Sequence, residues 1–214
     1  MTLNQLAYSL AQLLEKENDP QFVELCRYNY IHYRSLFIRR DQERNKTLPS
    51  AAVQQIVCDM VIVKTIELTG IEAGSDISRT KESLPQVVRL KTRDAFEFIG
   101  PIDGIDPFSI IPAREAQYVP YAQFTKLIPR VYLRRGHLYV VNKKPSKILV
   151  EAVFADPTRL ERYLRSDGSL AYTEEMDFPL PDDMIQGITQ GLINGELKFL
   201  QDQKSNEVTI DGQA

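Results

Sequence analysis

Residues 50 to 67 read SAAVQQIVCDMVIVKTIE, and whether this stretch is helix or strand decides what kind of fold the chain has. Val53, Ile56, Val57 and Met60 recur at the three- and four-residue intervals of a helix face. From Val61 onward, Val61, Ile62, Val63, Thr65 and Ile66 are β-branched, and such side chains favour a pleated surface. The stretch therefore reads as a helix over 50–58 and a strand over 60–67. On that reading the chain opens as helices and the sheet begins only afterwards.

Toward the N-terminus the signals are helical. Thr2 and Gln5 have capping-box spacing, in which each side chain satisfies the other residue's orphan N–H. Leu3, Leu6, Leu10, Leu13 and Leu14 then form one apolar stripe. Asn18-Asp19-Pro20 ends that helix and starts another, with Asp19 as N-cap and Pro20 at the first position, where its missing N–H does no harm. Phe22, Cys26, Ile31, Tyr33 and Phe37 supply the apolar face of this second helix, and Arg27, Arg34, Arg39, Arg40 and Arg44 sit mostly elsewhere around it. Running to Asn45, it is about 40 Å long. Its basic end, Arg39 to Lys46, suits the negative pole of the helix dipole.

Toward the C-terminus, Gly70 to Ser83 reads as polar loop, and 85–155 is β throughout. VVRL, AFEFIG, FSIIP, RVYLRR, HLYVV and KILVEAVFA are separated by Gly, Pro, Asp and Asn. Arg135-Gly136 makes one hairpin turn and Asn142 to Ser146 the next. Asp156-Pro157 repeats the cap-then-proline device and opens a short helix to Arg165. Pro181, Asp182 and Asp183 open a final helix over the stretch FPLPDDMIQGITQGLINGE. The fold expected is α+β: a helical bundle from the N-terminal and C-terminal segments, 1–68 and 178–204, with an inserted antiparallel β-rich domain over 85–176. A polar tail, 205–214, frays.

The final helix carries Gly187, Gly191 and Gly195 four residues apart, each costing about 1 kcal/mol against alanine in a helix interior. One reading makes Asn194-Gly195 a left-handed cap and the other two glycines tolerated. The other makes all three a smooth face for a closely packed neighbour, within the chain or in another subunit.

Composition excludes several classes. With 214 residues, 43% of them hydrophobic and 26% charged, the chain has the makings of an ordinary globular protein. Lys and Arg total 26 against 29 Asp and Glu, a formal net charge of −3 that argues against a dedicated nucleic-acid binder. Cys26 and Cys58 lack a pairing motif and read as buried free thiols. No apolar run has the ~18–20 residues that cross a bilayer, and the first residues lack the basic start of a signal peptide.

Reaction chemistry is not written in the chain. His32 and His137 have no second ligand three or four residues away, so no metal site is expected. Phosphate-cradling and nucleophile-elbow motifs are absent, and no cofactor is expected. Glu174-Glu175 and Asp182-Asp183 read as solvated carboxylates. Positive charge clusters at Lys126, Arg130, Arg134, Arg135, Lys143, Lys144 and Lys147, interleaved with Phe124, Tyr132 and Tyr139. The segment 124–147 is then either a nucleic-acid contact through Arg134, Arg135, Lys143 and Lys144, or a sheet edge protected by charge.

The runs YRSLFIRRDQERNKTLPS (33–50), RTKESLPQVVRLKTRDAFEFIGPIDGIDPFSII (79–111) and FPLPDDMIQGITQGLINGELKFL (178–200) resemble head-to-tail connector ring proteins of tailed bacteriophages, most nearly those of the short-tailed, crAss-like phages. The likeness covers most of the chain in collinear order. It implies a structural virion protein made in the host bacterial cytoplasm: a ring of copies of itself, twelve to match the portal protein, bridging portal and tail beside other ring or tail proteins. Such a ring lines the DNA channel and touches packaged DNA transiently, without enzyme activity and without a membrane. Arg39, Arg40 and Arg44 at the end of the long helix, with Gly187 and Gly191, are the candidate assembly residues. A virion enzyme is the remaining alternative, and it requires a concave pocket with converging titratable groups.

Overall fold

The computed structural model describes residues 1–63, 77–121 and 128–195. Expectations for 64–67, for Phe124 and Lys126, and for the tail 205–214 lie outside these residues.

Two helices open the chain where their caps predict them. Helix α1, Leu3–Leu13, starts on the capping box: Gln5 N–H donates to Thr2 Oγ1 at 3.2 Å and Thr2 N–H to Gln5 Oε1 at 3.0 Å. Helix α2, Pro20–Asn45, starts on the Asp19 carboxylate, which accepts from Gln21 and Phe22 N–H, and ends on Lys46 in the left-handed region. Its buried side runs by fours through Phe22, Cys26, Tyr30, Arg34 and Ile38, with Asn29 buried beside Tyr30. The last helix described, α3, is Asp182–Asn194.

The decisive stretch is a strand. After a single 3-10 turn at Ser50–Ala52 the chain enters β1, Gln54–Ile62, where burial alternates, with Gln54, Ile56 and Cys58 inward. The other strands are β2 Ile77–Thr80, β3 Phe96–Gly100, β4 Ser109–Ile110, β5 Arg130–Arg134, β6 His137–Val141 and β7 Lys147–Ala152. All pairings are antiparallel except β4 with β5, and the order across the sheet is β3-β7-β1-β2-β6-β5-β4. The sheet curls into a nearly closed barrel. Its two edges approach where Phe108 N–H, just before β4, donates to Ile99 O of β3 at 2.7 Å.

This corrects the expected fold class. The described residues hold three α-helices and a seven-stranded barrel-like sheet, not a helical bundle with a β-domain inserted. The segment taken as the third helix supplies β1, which lies near the centre of the sheet between β7 and β2. Asp156-Pro157 does start a turn, with Thr158 N–H on the Asp156 carboxylate at 3.1 Å, but only a 3-10 turn, Pro157–Leu160, follows. The loop expected over 70–83 contains β2.

One continuous core joins the helices to the sheet, from Leu6 and Leu10 of α1 through Ile56 and Val150 to Ile188 and Leu192 of α3. At its centre is Arg34, fully buried with no carboxylate bonded to it. Its guanidinium donates to three backbone carbonyls: Pro179 at 2.8 Å, Phe154 at 2.6 Å and Ala52 at 3.1 Å. A single side chain thus fastens α2 to the entry of β1, the exit of β7 and the approach to α3.

Candidate functional site

The bare face of α3 is filled from within the chain. A Cβ built on Gly187 would stand 3.1 Å from Phe37 Cε1 of α2, and one on Gly191 3.6 Å from Tyr33 Cε1 and 3.8 Å from Phe37. Tyr30 Oη and Thr189 Oγ1 share a hydrogen bond of 2.8 Å across the same seam. The glycines therefore let two aromatic rings of α2 lie close against α3. Gly195 ends the helix at φ −103°, outside the left-handed region.

Arg39, Arg40 and Arg44 are exposed at the end of α2. The Arg40 guanidinium lies 5.8 Å from the centre of the Phe37 ring, the ring that borders Gly187 and Gly191. Arg39 and Arg44 have no hydrogen bond or ion pair among the described residues.

The four basic residues singled out for DNA stand at two places. Arg134 and Arg135 occupy the β5–β6 turn, where Arg135 at φ 51° and Gly136 at φ 78° close the hairpin. Lys143 and Lys144 follow the other end of β6, a five-residue strand about 17 Å long. Lys143 lies 5.4 Å from the centre of the Phe108 ring.

That second end of the barrel is also its apolar end. Val61, Ile62, Ile102, Ile105, Ile110 and Ile128 are all exposed there, Ile105 to 75%. The loop bearing Ile102 and Ile105 is a built structure. Gly104 N–H donates to Pro101 O, Ile105 N–H to the Asp103 carboxylate, and Asp106 O packs so close that a Cβ on Gly100 would meet it at 2.9 Å. Sequence reading missed this surface. Its signal is the pair of isoleucines in GPIDGIDP, where turn residues leave no strand to bury them. A second exposed apolar set, Tyr8, Leu13, Leu25 and Tyr28, lies on the outer side of α1 and α2.

Little reaction chemistry is assembled. Burial pushes the Cys26 thiol up to about 11 and the Cys58 thiol up to about 12, away from thiolate reactivity. His137 Nδ1 lies 3.0 Å from Thr80 O, and His32 stacks on Tyr28. Among the described residues no three His, Cys, Asp or Glu side chains are grouped to hold a metal, and no helix is long and apolar enough to cross a membrane. A cleft of about 610 Å³ between the N-terminus, α3 and residues 165–181 presents the buried, unpartnered oxygens of Gln54 and Tyr172. Of the carboxylates that line it, Asp167, Asp177 and Asp182, Asp177 holds the N-terminal ammonium at 2.6 Å. These groups do not form a nucleophile with its base.

The model of the family described as phage tail ring protein 2, of the crAss-like phages, matches residues 15–210. The chain belongs to that family. No curated protein matches it. As a tail ring protein it is a structural component of a phage virion, assembling with copies of itself and with tail components.

Proposed function

We propose that this ring protein sits in the head-to-tail connector, joining the portal to the tail and surrounding the DNA channel, in a ring whose copy number follows the portal's twelve. The host cytoplasm is where it is made, and it enters the particle from there. The observation that carries this reading is the separation of the two exposed apolar sets. One is at the barrel end that carries Ile102 and Ile105, and one is on the helices α1 and α2. A closed ring needs two different, complementary faces on each copy, and a connector needs further surface for its neighbours above and below. Arg39, Arg40 and Arg44 are assigned to contacts with those neighbours. Contact with packaged DNA is transient and non-specific, consistent with a net charge of −3.

Co-production with the portal protein tests the reading. Sedimentation and negative-stain imaging are expected to give a ring of this chain stacked coaxially on the portal. A chain that stays monomeric at high concentration and leaves the portal bare contradicts it.

A further inference from the structure

We infer that the cleft between the N-terminus, α3 and residues 165–181 is a socket for a guanidinium group, the side chain of an arginine on a neighbouring subunit of the particle. This rests on the assembly of a tail ring protein with its neighbours and goes beyond it by naming a site and the chemistry that fills it.

The walls of the cleft are bonded together within the chain. Thr2 and Asp177 form an isolated antiparallel bridge, and Phe178 N–H donates to Met1 O at 2.9 Å. Pro179 O accepts from the buried Arg34 guanidinium at 2.8 Å, which ties the approach to α3 onto α2. On the other side Asp167 closes its own turn, its carboxylate accepting from Ser169 N–H and Ser169 Oγ, while Arg165 N–H donates to Ser169 O. The space between is about 610 Å³, within the roughly 300–1,000 Å³ of preformed ligand sites.

Two oxygens in these walls are left over. Gln54, at an inward position of β1 opposite Ala152 of β7, is only 7% exposed, and its Oε1 has no donor among the described residues. Tyr172 is 2% exposed, and its hydroxyl has no partner among them either. A buried polar atom left unbonded costs free energy, and folded proteins keep few of them. A phenylalanine at 172 would avoid that cost, so the hydroxyl is retained against stability.

The two oxygens and the charge around them select the occupant. A carboxamide oxygen only accepts and a phenol hydroxyl accepts as well as donates, so their common demand is for N–H donors. The lining carries Asp167, Asp177 and Asp182 against Arg165 and the Met1 ammonium. Met1 holds Asp177 at 2.6 Å, and Arg165 acts on Asp167 while donating to Ala171 O at 3.2 Å. Asp182, in the first turn of α3, has no hydrogen bond or ion pair among the described residues. The excess charge is negative, which turns away a carboxylate or phosphate and favours a cation. A guanidinium presents five N–H donors and no acceptor, and it is more weakly hydrated than an ammonium, so it enters such a cleft at lower cost.

Titration of the isotope-labelled chain with N-acetyl-L-arginine amide, followed by nuclear magnetic resonance, tests the socket. Saturable shifts of the Gln54 side-chain amide and of Tyr172 are expected, with a Kd on the order of 1 mM for a probe of this size. N-acetyl-L-norleucine amide, which has a similar stem and no guanidinium, is expected to bind at least roughly tenfold more weakly. Tyr172→Phe separates the socket from the scaffold: it is expected to unfold at a higher urea concentration than the parent while binding the arginine probe roughly tenfold more weakly. In a reconstruction of the particle, an arginine of an adjoining subunit is expected in the cleft. If the arginine probe gives no saturable shift at about ten times that Kd, if the norleucine probe binds as well, or if Tyr172→Phe binds as the parent does, the socket is wrong while the ring stands. If the probe binds but the cleft is open to solvent in the particle, or if purified particles release one small amine per copy of the chain on acid extraction, the assignment to a neighbour's arginine is wrong.

Discussion

Replacing Arg34 by methionine removes the one side chain that bonds the helices to both the entry and the exit of the barrel. Three hydrogen bonds from a charged donor are lost, worth roughly 1.5–3 kcal/mol each. The Pro179, Phe154 and Ala52 carbonyls stay behind without that donor. Against this, methionine relieves the several kcal/mol needed to keep a buried guanidinium charged with no carboxylate bonded to it. The loss wins because the carbonyls belong to the backbone and cannot be replaced along with the arginine. A net destabilisation of about 3–5 kcal/mol follows, out of a total of ~5–15 kcal/mol, with a fall in Tm of roughly 10 °C for a chain of this size. Arg34→Lys is expected to recover only part of it, since one ammonium does not span three diverging acceptors. Burial pushes the guanidinium down to about 9 from its ordinary 12.5. The unfolded chain therefore binds more protons only above about pH 9, and the difference between parent and Arg34→Met is expected to be constant from pH 5 to 8. Urea and thermal unfolding followed by circular dichroism measure this. A methionine variant within 1 kcal/mol of the parent would refute the reasoning.

Three further outcomes follow from the geometry. Gly191→Ala is expected to raise stability by about 0.5–1 kcal/mol, its new methyl in ordinary contact with Tyr33, whereas Gly187→Ala, pressed 3.1 Å from Phe37, gains nothing or loses; urea midpoints of the two variants separate them. Cys26 and Cys58, with thiols pushed up to about 11 and about 12, are expected to be inert to a thiol reagent at pH 8 in the folded chain and to react fully in denaturant. The Arg27 guanidinium, 2.8 Å away, holds the Glu174 carboxyl below its ordinary 4.5. That support is present above the unfolded value and lost as pH falls through the folded one, so Glu174→Gln is expected to flatten part of the stability loss below pH 4.5 in an acid titration.

The elements legible in the sequence were those whose signals are local. Thr2 bonds Gln5, Asp19 accepts from Gln21 and Phe22 beside Pro20, and Asp156 accepts from Thr158 beside Pro157, all within three residues, and each cap stands where the pattern put it. Helix or strand at β1 was not local. The inward position Gln54 is polar, which hides the alternation, while Val53, Ile56, Val57 and Met60 imitate a helix face; what decides the matter is pairing with β7, nearly a hundred residues on. Arg34 was read with the other arginines as lying mostly away from the apolar face of the helix. Its burial follows from its place in the every-fourth-residue series Phe22, Cys26, Tyr30, Arg34 and Ile38, a stripe the sequence reading set slightly too far round the helix. The glycines were legible as a close-packing face, but not the rings that fill it. The isoleucines exposed at one end of the barrel escaped because, in a turn-rich loop, they match no periodic template.

The central claim is that this chain works by fitting other copies of itself into a ring around the DNA path. A symmetry-resolved image of the intact particle tests it most directly. The expected result is a closed ring of these barrels at the junction of head and tail. Copies found singly, or placed away from that axis, would contradict it.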